Sequence, residues 1–185
     1  MGGHLRSLCR RARRAGEPLT VAAPRTLQIW IAALVIILDQ AVKVLVRSRL
    51  NLYESVTVIP GLLDLTRVHN TGTAFGFMNV VDFPFKTIVV ALMAATALAA
   101  LAIYGSTLAP EQHLSRFGLA FIIGGAAGNL VDRVSAGYVL DFVDVYRGNW
   151  HFWAFNVADA AITVGVALMI LDLLGLGRLR VSRTV

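Results

Sequence analysis

The chain has 185 residues, 57% of them hydrophobic and 15% charged, with a mean hydropathy of +0.69, a balance that excludes a water-soluble domain of ordinary composition. Lys and Arg exceed Asp and Glu by 17 to 11, and much of the excess lies in tails beside apolar segments, where it attracts anionic headgroups; no nucleic-acid partner is expected. A single cysteine, Cys9, precludes an intramolecular disulfide, and 4 scattered histidines carry no metal-ligand spacing, so neither metal nor cofactor is expected.

Arg6, Arg10, Arg11, Arg13, Arg14 and Arg25 precede the first apolar stretch, Leu27 to Val46. Basic residues before an apolar run also mark a signal peptide, but no small-x-small cleavage site follows, and Asp39 and Lys43 interrupt the run. A retained membrane helix is expected. Asn51 to Asp82 has a different texture: β-branched and alternating patches at Val56 to Ile59 and Leu62 to Val68, with turn signals at Pro60-Gly61 and Asn70 to Gly72. This reads as a small sheet outside the membrane.

Three more apolar stretches follow, Phe85 to Tyr104, Phe117 to Val131 and Phe155 to Leu176. A span needs about 20 apolar residues, so Phe117 to Val131 is short and is expected to span only within a bundle. The segment Gly137 to Trp153 lies between the last two, and Trp150, Phe152, Trp153 and Phe155 fit an aromatic belt at an interface. Arg116 and the C-terminal Arg178, Arg180 and Arg183 agree with cytoplasmic termini by the positive-inside rule; Arg47, Arg49 and Arg67 weaken that bias without reversing it. The expected fold is an all-α polytopic membrane protein of four transmembrane helices with a small extracytoplasmic sheet. Residues 27–176 form one domain between basic tails 1–26 and 177–185, with external segments at about 51–82 and 135–153.

On this scaffold Asp132, Asp141 and Asp159 all fall toward the outer side. Asn129, Asp132 and Arg133 are spaced i, i+3, i+4, and Asn156 and Asp159 are spaced i, i+3, so each set projects from one helix face. Asp39 and Lys43, at i and i+4, lie roughly two-thirds of the way out along the first span at about 1.5 Å per residue. They read as an internal ion pair, and Asp132 with the adjacent Arg133 as another that fixes the helix end. Asn70, Asn129 and Asn156 have a plain reading as interhelical hydrogen-bond donors, and Gly124 to Gly128 as a close-packing surface.

Asp141 and Asp159 differ, because neither has a basic neighbour at helical spacing. Two such carboxylates brought together in a water-poor site titrate as a coupled pair, one protonated and one charged. That arrangement serves a peptide-bond hydrolase, with one member taking a proton from water and the other donating to the oxyanion. It serves equally as a proton relay in a small ion-coupled carrier. Spacing alone leaves both open. Four spans without an evident internal repeat match repeat-built carriers poorly, and a purely structural assembly factor would need no unpaired acidic pair.

Five motifs in order resemble the lipoprotein signal peptidases, the signal peptidase II family of bacterial membrane aspartic proteases. They are D-Q-A-V-K at Asp39 to Lys43, N-T-G-T-A-F at Asn70 to Phe75, G-G-A-A-G-N-L-V-D-R at Gly124 to Arg133, V-L-D-F at Val139 to Phe142 and F-N-V-A-D at Phe155 to Asp159. The resemblance covers about Leu27 to Leu174 and leaves out the basic tails.

The resemblance implies cleavage of diacylglyceryl-modified prolipoproteins just before the lipobox cysteine, by a site toward the outer face of the bacterial inner membrane. It implies catalysis by Asp141 and Asp159, with Asn70, Asn129, Asp132, Arg133 and Asn156 around them and Asp39, Lys43, Gly72, Ala74 and Ala158 as further motif positions. It also implies a β-cradle and a mobile connection within Asn51 to Asp82, and no cofactor. Membrane lipids are the expected surroundings and a monomer the expected state. Asn156 is expected to hold water or the substrate carbonyl, and Arg133 to steady the Asp141 segment through Asp132.

Overall fold

The computed structural model describes residues 25–72 and 85–176. The basic tails, apart from Arg25 and Thr26, and residues 73–84 with Ala74 lie outside the described residues. Four helices appear among those described: α1 (Arg25–Arg49), α2 (Lys86–Thr107), α3 (His113–Ala136) and α4 (Val157–Leu173). Four strands accompany them: β1 (Ser55–Ile59), β2 (Leu63–Asn70), β3 (Val139–Arg147) and β4 (Trp150–His151).

The solvent preference of the bundle is inverted. Asp39, Lys43, Asn129, Asp132 and Asn156 are buried, while Ile29, Trp30, Ile37, Leu92 and Ile103 are exposed. Water would penalise both halves of that arrangement, and hydrocarbon around the helices favours it. Three helices, α1, α2 and α3, are long and apolar enough to cross a membrane. The apolar run Phe117 to Val131 lies inside a longer helix: α3 has 24 residues, extends beyond the run at both ends, and buries Asn129 and Asp132 near its far end. Of the described helices α4 is the shortest, with 17 residues.

Helix α3 is the centre, packing against α1, α2 and α4. Its small residues permit this. A Cβ on Gly124 would stand 2.9 Å from the Ala32 carbonyl oxygen of α1, and one on Gly125 would collide with the Ala158 carbonyl of α4. The backbones approach as closely as glycine allows, which is how helices associate where lipid removes the hydrophobic drive. Helix α3 ends at Gly137, in the left-handed conformation at φ 81°, whose N–H donates to the Arg133 carbonyl at 3.1 Å.

The strands form one antiparallel sheet in the order β1-β2-β3-β4. The sheet was expected from the first outer segment alone. In fact the segment between α3 and α4 supplies β3, which pairs with β2 in the register Val68 to Asp141, His69 to Leu140 and Asn70 to Val139. An all-α description therefore understates the fold, and Asn70 both ends β2 and opens the expected turn, its side-chain oxygen accepting from Gly72 N at 3.0 Å. Val46, Leu140 and Phe142 form a buried apolar cluster where α1 meets the sheet. Arg67 of β2 pins the same joint by donating to the carbonyls of Arg47 at 3.4 Å and Leu50 at 3.0 Å.

Candidate active site

At the sheet end of the bundle, α1 presents Asp39, Lys43 and Arg47 one turn apart. Lys43 Nζ lies 2.8 Å from Asp39 Oδ2 and 2.8 Å from Asp132 Oδ2, all three side chains fully buried. Arg47 adds a contact of 3.1 Å to Asp132 Oδ1. The second oxygen of Asp39 accepts from Ala158 N at 3.0 Å, and Asp132 Oδ2 accepts from Leu140 N at 3.2 Å. Ala158 precedes Asp159 and Leu140 precedes Asp141. The ion cluster thus grips the backbone immediately before each of the two carboxylates.

A layer of amides contacts the carboxylates directly. Asn156 Nδ2 donates to Asp141 Oδ1 at 2.7 Å, and Asn70 Nδ2 to Asp141 Oδ2 at 3.0 Å. Asn129 Nδ2 donates to Asp159 Oδ1 at 2.8 Å, while Asp159 Oδ2 accepts from Asn156 N at 3.2 Å. The amides are oriented by donors at their oxygens. Lys43 Nζ reaches Asn129 Oδ1 at 3.0 Å, Gly72 N reaches Asn70 Oδ1 at 3.0 Å, and Asp159 N reaches Asn156 Oδ1 at 3.0 Å. Each NH₂ must then face a carboxylate. Asn156 also forms with Asp159 a reciprocal capping box that starts α4.

Asp141, 3% exposed, has its carboxyl pushed up to about 7 by burial, and then by the negative charge of Asp159. The hydrogen bonds from Asn70 and Asn156 and the Lys43 charge oppose the rise. Asp141 and Asp159 form no salt bridge among the described residues: Lys43 and Arg47 pair with Asp39 and Asp132, and the charges of Lys43 and Arg133 act on the two carboxylates only through space. Nearby, His69 stacks on Tyr138 at a centroid separation of 3.6 Å, and burial with the charges of Arg67 and Arg47 holds its pKa down. Among the described residues no three His, Cys, Asp or Glu side chains are grouped to hold a metal ion.

One pairing expected from the sequence is overturned. Asp132 does not bridge to Arg133; adjacent helical positions point about 100° apart. Arg133 instead donates to the Asn129 carbonyl at 3.3 Å and the Gly72 carbonyl at 3.0 Å, tying α3 to the chain after β2. Asp132 steadies the Asp141 segment through its own contact with Leu140 N, and does so without Arg133. The Asn156 side chain is engaged with Asn129, Leu140, Asp141 and Asp159 rather than open toward a substrate. Arg47 and Gln40 also belong to this cluster. Gln40 donates to Asp39, to the Gly128 carbonyl and to Asp132. The signal for Arg47 was its place four residues beyond Lys43 on the same face.

The profile of the family described as Signal peptidase (SPase) II matches residues 31–175. This chain belongs to the signal peptidase II family. It is 45% identical over 139 residues to a lipoprotein signal peptidase of Geobacter sulfurreducens, covering 75% of this chain and 86% of that relative. It is 47% identical over 146 residues to the one from Geobacter metallireducens, covering 78% and 88%. A solved bacterial membrane enzyme, obtained by the in meso method, superposes with a TM-score of 0.72 at 30% identity, covering 86% of this chain and 94% of that one. As a signal peptidase II the protein is a membrane peptidase, and the carrier alternative finds no support.

Proposed function

We propose that this peptidase removes signal peptides from diacylglyceryl-modified prolipoproteins, cutting just before the lipobox cysteine, with Asp141 and Asp159 as its catalytic pair. The observation that carries the assignment is the contrast within one polar cluster. Asp39 and Asp132 are neutralised by Lys43 and Arg47, whereas Asp141 and Asp159 meet only neutral donors. A carboxylate with a cation is a brace; two carboxylates with amides can share a proton.

In the proposed reaction Asp141, whose carboxyl is pushed up to about 7 by burial, holds the shared proton. Asp159 is the ionised member, in the first turn of α4 where backbone N–H groups face it. Asp159 takes a proton from water as the water oxygen attacks the scissile carbonyl. Asp141 donates its proton to the developing oxyanion, and the pair returns a proton to the leaving amine as the C–N bond breaks. Asn70, Asn129 and Asn156 orient the carboxylates; Asp39, Lys43, Asp132, Ala158 and the Arg133 bridge to Gly72 hold the backbone that carries them.

The same reading includes topology. All four helices span, α4 with about 26 Å at 1.5 Å per residue. Both termini are cytoplasmic, the sheet and the carboxylates face outward from the inner membrane, and a monomer in lipid suffices. Diacylglyceryl chains stay in the bilayer while the signal helix lies against the bundle, so membrane partition supplies part of the binding. Purified protein given a precursor with and without the diacylglyceryl group, with products read by mass spectrometry, tests this. Cleavage before the cysteine of the lipidated form alone is expected; equal cleavage of both, or cleavage elsewhere, contradicts it.

A further inference from the structure

At the end of the bundle away from the carboxylates, α2 and α4 both pack on α3 and leave a cleft of about 680 Å³ between them. Its walls include Tyr104, Ile122, Val166 and Ile170, and its rim carries Glu111 and Asp172. On α4 the positions Asp159, Thr163, Val166, Ile170 and Leu173 follow at i, i+4, i+7, i+11 and i+14, and all but the half-buried Asp159 are exposed. One open seam therefore runs from the candidate catalytic carboxylate into the cleft.

The charges at this end are sorted. Arg25 and Arg116 line a separate cavity between α1, α2 and α3, and the two carboxylates line the cleft between α2 and α4. Asp172 accepts from Ser115 N at 3.3 Å and from the Ser115 hydroxyl, donors that leave its charge in place. Neither Asp172 nor Glu111 has a cationic partner among the described residues.

A signal peptide has a matching layout: a basic n-region, then an apolar h-region of about 7–15 residues, then the cleavage site. From Asp159 to Asp172 the seam runs 13 residues, about 20 Å at 1.5 Å per residue, close to the length of a helical h-region at the upper end of that range. We infer that the cleft between α2 and α4 receives the amino-terminal half of the signal peptide, with Glu111 and Asp172 pairing with its basic n-region. This rests on the function and topology proposed above. It assigns the cytoplasmic end of the enzyme a part in substrate choice, reading charge one h-region away from the cut.

The test uses the full chain in phosphatidylcholine nanodiscs, where no anionic headgroup competes, and two lipidated precursors that differ only in n-region Lys against Gln. Wild type is expected to prefer the Lys precursor by about fivefold in kcat/KM, the scale of two partly exposed ion pairs, with the difference in KM. Glu111→Gln with Asp172→Asn is expected to abolish the preference, bringing kcat/KM for the Lys precursor down to that for the Gln precursor. Glu111→Gln alone, at an exposed site, is expected to halve it in free-energy terms and guards against misfolding of the double variant. Equal cleavage of both precursors by wild type, or a preference that survives the double variant, overturns the inference. Cleavage of neither precursor by folded wild type overturns the peptidase assignment and the inference with it.

Discussion

Asp132 accepts the backbone N–H of Leu140 at 3.2 Å, and Leu140 is the residue before Asp141. Asp39 does the same for Ala158, the residue before Asp159. Lys43 stands between the two braces and joins them. The placement of the proposed catalytic pair is thus braced by a buried ion cluster on α1 and α3 that need not touch substrate, and the consequences can be separated experimentally.

Lys43→Met should remove the shared cation and leave Asp39 and Asp132 buried without it, a loss on the order of 3–5 kcal/mol. Arg47→Gln should cost less than about 1 kcal/mol, because Arg47 is partly exposed and Lys43 still serves Asp132. Thermal unfolding in detergent distinguishes the two. A Lys43→Met variant as stable as Arg47→Gln would show that the cluster does not hold the bundle.

Asn156 combines a helix cap with a donor to Asp141, and two substitutions separate these. Asn156→Ala should lose about 1 kcal/mol of stability with the cap, and about a hundredfold in kcat through misplacement of the pair. Asn156→Ser keeps a capping oxygen but no amide, so it should recover stability and not turnover. Recovery of both would remove the amide from the account.

The proton proposed for Asp141 has a signed pH signature. Its folded pKa, about 7, lies above the ordinary carboxyl value of 3.8, so the native state binds more protons than the unfolded state between those limits. Its contribution to stability is full below about pH 4 and is lost as pH rises through about 7. The melting temperature of wild type should fall across that window relative to Asp141→Asn, which cannot titrate there. Activity should decline about tenfold per pH unit above the same pKa as the pair loses its last proton. Parallel melting curves for the two proteins across the window would contradict the assignment.

Much of this site was legible because membrane burial makes polar residues informative. Asp39, Lys43, Asn129, Asp132, Asn156 and Asp159 stand out against apolar helices, and helical spacing groups most of them correctly. The failures have local causes. Reading Asp132 with Arg133 set chain adjacency above helix geometry, which points neighbours apart and lets Lys43 and Arg47 of another helix reach Asp132. Strand β3 is not evident locally, because Val139 to Arg147 lies between two helices and its strand partner β2 is distant in sequence. Its pairing with β2, which places Asn70 beside Asp141, is a long-range contact that no local pattern encodes.

The most direct test of the catalytic pair is cleavage of a diacylglyceryl-modified lipobox precursor by wild type, Asp141→Asn and Asp159→Asn, each first shown to unfold cooperatively in the same detergent. Turnover by wild type alone, with both variants reduced by about a thousandfold or more, is the predicted result. Comparable turnover by either folded variant would contradict the assignment of Asp141 and Asp159 as the residues that activate water and protonate the oxyanion.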